Sequence, residues 1–189
     1  MTAFFSPNRL HPSSSQLVWS DAAALQRGEI LLETLPHTAW GAAVTARMYL
    51  PLKRAIVWQH VINYPRWVQY FPAISCSEVL SAETATDATS SKRLYQVGSK
   101  NFLFFTAHVD IYLNVVETAQ QRVQFRFESG SFNDFAADLR LQDCDDGTLL
   151  TYFVQATPTI PVPSLFIQQA IQLDLPSNMR TMRTVMCQS

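Results

Sequence analysis

The hydrophobic pattern of this chain predicts an α+β fold: a curved antiparallel sheet of about six to eight strands wrapped around one long C-terminal helix. Two observations carry that prediction. Between residues 108 and 155 apolar and polar residues alternate in successive short segments, and from residue 164 the apolar residues recur at helical spacing. A third observation removes the main competitor. The glycines at 28, 41, 98, 130 and 147 fall between apolar segments and none belongs to a GxGxxG or GxxxxGK pattern, so nucleotide-binding loops have no support.

Each element follows in turn. "MTAFFSPNRLHPSSSQLVWS" mixes Ser, Pro and Asn with isolated apolar residues, so residues 1–24 are expected to form a loosely ordered arm, docked through Phe4, Phe5 or Trp19. "EILLETL" and "AAVTARMYL" read as the first two strands. In "PLKRAIVWQHVINY" Pro51 suits a helix start, and Leu52, Ile56 and Val57 recur at helical spacing. "YPRWVQYFP" allows only a short second helix, because each proline pushes the residue before it out of the helical region. "AISCSEVLSAE" follows as a strand, then the polar loop "TATDATSS".

The middle of the chain alternates with period two. Val109, Ile111, Leu113 and Val115 share one strand face, Val123, Phe125 and Phe127 another, and Phe135, Ala137, Leu139 and Leu141 a third, with "TLLTYFVQA" closing the series. Repeated alternation with short connections means an antiparallel sheet with one dry face. In "LFIQQAIQLDLPSNMRTMRTVMCQ" Ile167, Ile171, Leu175, Met179, Met182 and Met186 form one apolar stripe of a six-turn helix, with Ser164 as a candidate N-cap. Pro176 is expected to kink that helix. Phe166, Ala170 and Leu173 lie outside the stripe, and "NFLFF" at 101–105 breaks the alternation, so either patch could dock a partner, a membrane or the N-terminal arm.

Composition narrows the function classes. A chain of 189 residues buries a sizeable core, while only 15% of them are charged, against a typical quarter. The net charge is −1 and the 14 Lys and Arg are scattered singly, which gives no footprint for nucleic acid. Cys76, Cys144 and Cys187 are odd in number and widely spaced, so a reducing compartment is the simpler reading. No secretory signal or run of about eighteen apolar residues is present, and a cytoplasmic location is the default expectation.

Catalytic chemistry has little to stand on. His108, Asp110 and Tyr112 share one strand face, and Arg122, Gln124, Arg126 and Glu128 share another. A solvated outer face is the favoured reading for both, because the opposite faces carry Ile111, Leu113, Phe125 and Phe127. His11, His37, His60 and His108 have no metal-ligand spacing, and no GxSxG elbow occurs. No cofactor is implied. Arg47 and Tyr49 lie on the second strand, where an inward Arg47 would be a buried charge demanding a partner.

One stretch demands its own account. "WQHVINYPRWVQYFP", from Trp58 to Pro72, gathers five aromatics in fifteen residues. Together with "FESGSFNDFAADLRL", "GTLLTYFVQATPTIPVP" and "LDLPSNMRTMR", it resembles the SRPBCC or START-like helix-grip superfamily, which includes START lipid-transfer domains, birch-pollen-allergen-like proteins and polyketide cyclases. The closer likeness is to its polyketide cyclase/dehydrase and lipid transport branch, common in cyanobacteria and plants. The resemblance covers roughly residues 25–186 and implies a single helix-grip domain over 25–189.

The resemblance also implies a cavity between the sheet and the C-terminal helix, with the short helices closing one end. Trp58 would face the core, and Trp67, Tyr70 and Phe71 would line or gate the entrance, or else simply seal the end of the core. Ile111, Leu113, Val123, Phe125, Phe127, Phe135, Leu139 and Tyr152 would line the cavity from the sheet. Ile167, Ile171, Leu175, Met179 and Met182 would line it from the helix. Three functions follow as alternatives. The first is binding or transport of a lipid, quinone, isoprenoid or pigment; the second is a cyclase or dehydratase, favoured by inward polar groups converging on the cavity. The third is an interaction protein, with transient membrane contact or homodimerisation of an otherwise monomeric chain. Ligand binding is the leading expectation.

Overall fold

The computed structural model describes residues 19–84, 88–102, 105–159 and 164–188; the side chains of 19–20, 84, 100–102, 105–107, 164–166 and 169–171 lie outside the description. The "NFLFF" patch, the docking of Phe4, Phe5 and Trp19, the side chains of Phe166 and Ala170 and the cap at Ser164 therefore fall outside the described residues. The chain runs α1 (Trp19–Gln26), β1 (Leu31–Leu35), β2 (Ala42–Leu50) and α2 (Arg54–Val61). A 3-10 turn (Tyr64–Arg66) leads into α3 (Trp67–Tyr70). Six strands follow: β3 (Ile74–Thr84), β4 (Thr89–Phe102), β5 (Phe105–Thr118), β6 (Arg122–Gly130), β7 (Phe132–Cys144) and β8 (Gly147–Pro158). The last element is α4 (Ser164–Cys187).

The eight strands form one antiparallel sheet in the order β1-β2-β8-β7-β6-β5-β4-β3. Register carries the inward residues straight across it: Leu94 opposes Leu113, which opposes Phe127, while Val123, Leu139 and Tyr152 form a second row. Tyr152 continues that row to Ala46 on β2. A one-residue slip anywhere would turn this row to solvent, so burial itself fixes the register. Burying each large apolar side chain contributes about 1.5–3 kcal/mol, and α4 brings Leu175, Met179, Met182 and Met186 to the same core.

Local chemistry explains the irregular parts. Pro65 sits at the start of the 3-10 turn, and Phe71 leaves the helical region just before Pro72, so the second helix is one turn long, as the prolines predict. Gly130, two residues beyond the β5–β6 bulge, has φ +130°, and a Cβ there would meet the Asp110 carbonyl oxygen at 2.3 Å. Helix α4 continues through Pro176 as one element, although the proline leaves the Gln172 carbonyl without its helical donor. The stretch 19–24, read from sequence as the end of the arm, lies on α1. Ala24 and Leu25 are buried there, since α1 packs near β2. The sequence pattern also passed over β4 as a strand, because Ser, Lys and Gln stand on its inward face around Leu94.

Candidate ligand site

The concave face of the sheet has two ends, and the aromatic stretch after α2 meets both. At one end the inward row of β5 continues from Ile111, Leu113 and Val115 to Glu117, which is only 4% exposed. The Tyr64 hydroxyl donates to Glu117 Oε1 at 2.5 Å, Lys92 Nζ to the same oxygen at 2.7 Å, and Ser90 Oγ to Oε2 at 2.7 Å. Lys92 also lies 5.2 Å from the Tyr64 ring centroid. Burial first, and the Glu117 carboxylate second, push the Tyr64 phenol far above the ordinary tyrosine range, so it serves as a permanent donor. Every polar atom of this cluster that needs a partner has one, and the cluster ties the 3-10 turn to β4 and β5.

Further along the same strands the face opens into a pocket of about 180 Å³. Its walls are Trp67, Phe71, Ile74, Gln96, Val97, Gly98, Val109, Ile111, Phe132, Phe135 and Tyr152. Trp67 and Phe71 stack with ring centroids 5.4 Å apart, Phe71 meets Tyr152 at 6.2 Å, and Phe132 meets Phe135 at 5.6 Å. The Trp67 indole donates to the Val61 carbonyl at 3.0 Å, which holds this wall against α2. Among the described residues the walls contain no charged side chain. Two polar side chains interrupt them: Gln96, whose Nε2 donates to Ser77 Oγ at 3.0 Å, and Tyr152.

The seventeen residues expected to line a cavity separate into distinct places. Trp67, Phe71, Ile111, Phe135 and Tyr152 line the pocket. Tyr70, Leu113, Val123, Phe125, Leu139, Leu175, Met179 and Met182 are packed in the core, with Trp58 and Phe127 half-buried against it. Ile167 is half-buried on α4, and the side chain of Ile171 lies outside the described residues. No described residue of α4 lines the pocket, and its Met179, Met182 and Met186 are buried in the core. Ile74, Gln96, Val97, Gly98, Val109 and Phe132 line it without having been singled out as site residues. Gln96 could have been found from its phase, two residues beyond Leu94 on one strand face; Glu117 likewise stands two beyond Val115.

The candidate catalytic clusters occupy the outer face. Arg93 bonds Glu128 at 2.6 Å and lies 5.1 Å from the Tyr112 ring, which packs on Tyr95. Arg122 and Arg140 both hold Asp138; burial opposes its charge, and the two guanidinium groups outweigh burial to keep its carboxyl below the usual range. Arg47 points outward to Glu33 at 3.3 Å, while Ala46, Met48 and Leu50 face the core. The Nε2 of His37 meets both Asp134, at 2.9 Å, and Thr157, at 3.2 Å. A triad histidine works through its two different nitrogens, so this cluster lacks that relay. His60 is buried beside Arg66, with Nδ1 to Nη1 at 3.4 Å; burial first and Arg66 second lower its proton affinity.

Residues 50–183 match the family described as polyketide cyclase / dehydrase and lipid transport. The chain belongs to this family. Members of the wider START-like group share its architecture, and the fold is the helix-grip α+β fold. An aromatase/cyclase, Zhui from Streptomyces sp. R1128, superposes with TM-score 0.59 over 77% of this chain and 93% of its own, at 9% identity. A STAR-related lipid transfer protein from Xanthomonas axonopodis gives 0.57 over 82% and 98%, at 14% identity. Human STARD10 gives 0.60 over 82% and 73%, at 9% identity. These identities carry the likeness of fold alone. No curated protein matches the chain by sequence. Family and fold together support a hydrophobic-ligand-binding fold, and no helix among the described residues is long and apolar enough to cross a membrane.

Proposed function

We propose that this protein binds a hydrophobic small molecule in the aromatic pocket between α3 and the concave face of the sheet. The observation that carries the reading is the pocket wall itself, rich in aromatic rings and with no charged group among its described residues. Ligand sites are typically concave and mostly apolar, with a few polar groups that fix orientation, and Gln96 and Tyr152 supply those. Drug-sized ligands occupy about 300–1,000 Å³. At about 180 Å³ the pocket fits one ring or a short chain, so a longer ligand would leave part of itself outside.

A cyclase or dehydratase is the second reading, and the two inward polar groups are what favour it. General acid–base work needs a group that exchanges protons near the operating pH. An amide does not titrate, and burial raises the Tyr152 phenol, so neither group does this near neutrality. That places binding ahead of catalysis. The free Cys76, Cys144 and Cys187 suit a reducing compartment such as the cytoplasm.

Native mass spectrometry of protein purified from its own organism, followed by extraction, tests the reading. A stoichiometric apolar compound supports it. Protein that is empty, and that also fails to take up small aromatic probes, would remove it in favour of a partner-binding role.

A further inference from the structure

Tyr152 is more than nine-tenths buried and lines the pocket, where its hydroxyl opens onto the pocket space and has no protein partner among the described residues. Burial is the sole influence on its ionisation, with no side-chain hydrogen bond contributing. Polar groups in folded proteins are hydrogen-bonded as a rule, so a hydroxyl open to an apolar pocket takes its partner from whatever fills that pocket, water or ligand. Gln96, equally buried, spends its Nε2 on Ser77, which leaves its carbonyl oxygen without a protein donor among the described residues. Three other polar side chains of the core have protein partners. Tyr64 has Glu117, Trp67 has the Val61 carbonyl, and Thr148 has the Leu52 carbonyl at 2.7 Å.

From this contrast, and resting on the binding role proposed above, we infer that the ligand portion held in the pocket is a neutral single ring bearing one hydroxyl or carbonyl oxygen, which accepts from the Tyr152 hydroxyl. Three features set each part of that description. The volume admits a single ring: a cavity of about 150 Å³ is enough to hold benzene. The stacked Trp67 and Phe71 and the Phe132–Phe135 pair, all in the pocket wall, offer ring surface to a planar guest. None of the described lining residues is charged, which disfavours a carboxylate or phosphate inside, since a buried charge without a counter-charge is costly. A hydroxyl on the guest could also donate to the free Gln96 oxygen.

Calorimetric titration at neutral pH with p-cresol, toluene and 4-methylbenzoate tests this on the full chain. We expect p-cresol to bind about three- to tenfold more tightly than toluene, the yield of one net hydrogen bond. The benzoate should bind at least about tenfold more weakly than p-cresol. In Tyr152→Phe the ratio of p-cresol to toluene should fall to about one. Without a polar partner the hydroxyl would instead weaken p-cresol, so toluene binding as tightly or more tightly in the wild type would overturn the inference. A full p-cresol preference in Tyr152→Phe would overturn the assignment to Tyr152, and tight benzoate binding would overturn neutrality. If toluene and p-cresol both fail to bind, the pocket itself is not a ligand site and the binding role falls with it.

Discussion

The two ends of the concave face each set a tyrosine hydroxyl among apolar residues and differ in what meets it. At the Glu117 end a tyrosine hydroxyl, a lysine and a serine converge on one carboxylate, and all are partnered. At the pocket end a tyrosine hydroxyl and an amide oxygen have no protein partners among the described residues. Trp67 stands between them, with its ring centroid 6.1 Å from that of Tyr64 and its other side on Phe71 and the pocket. Satisfied polar groups inside a core specify structure, and unsatisfied ones beside a cavity mark where something else must bind. The aromatic stretch after α2 therefore has two roles: Tyr64 and Tyr70 seal the core, and Trp67 and Phe71 make a wall.

Substitutions should separate these roles. The largest effect is expected at the shared residue: Trp67→Ala should lower stability by about 3–5 kcal/mol in a denaturant titration, because it empties space in both regions. A cost below about 1 kcal/mol would mean that the two ends are not braced through this ring. Glu117→Ala should cost about 3 kcal/mol, since it leaves Lys92 and the Tyr64 hydroxyl facing a buried gap. Its failure to destabilise would place that cluster among ordinary surface ion pairs. A smaller effect is expected at His60, whose proton affinity is lowered in the folded state. Above about pH 6.5 the ring is neutral in both states and its contribution is complete. As pH falls through the lower folded value the unfolded chain takes up the proton first, so stability is lost. Stability of His60→Gln should accordingly fall less than that of the wild type between pH 7 and pH 5; parallel curves would contradict the burial assigned to His60.

Much of the architecture was legible because strand alternation is a strong local signal. The faces carrying Val109 to Val115 and Val123 to Phe127, and the methionine stripe of α4, follow directly from their periods. β4 was harder to see. Its inward face carries Ser90, Lys92 and Gln96, residues that read as polar surface until their partners across the sheet are known. The same masking hid Glu117, whose partners Tyr64 and Ser90 are 53 and 27 residues away in sequence. The site was legible only in its aromatic members, because a pocket is space left by packing. Periodicity marks which residues face inward and cannot distinguish those that touch from those that stand apart; Phe125 and Phe135 have the same phase, yet one is core and the other lines the pocket.

The same conservative change made at both ends is the most direct test: denaturant unfolding of Tyr64→Phe beside Tyr152→Phe, each against the wild type. Losing a buried hydrogen bond to a charged group should cost Tyr64→Phe about 1.5–3 kcal/mol. Removing an unpartnered hydroxyl should leave Tyr152→Phe within about 0.5 kcal/mol of the wild type. Equal losses at the two positions, or a larger loss at Tyr152, would show that its hydroxyl is part of the folded framework and not held open for a ligand.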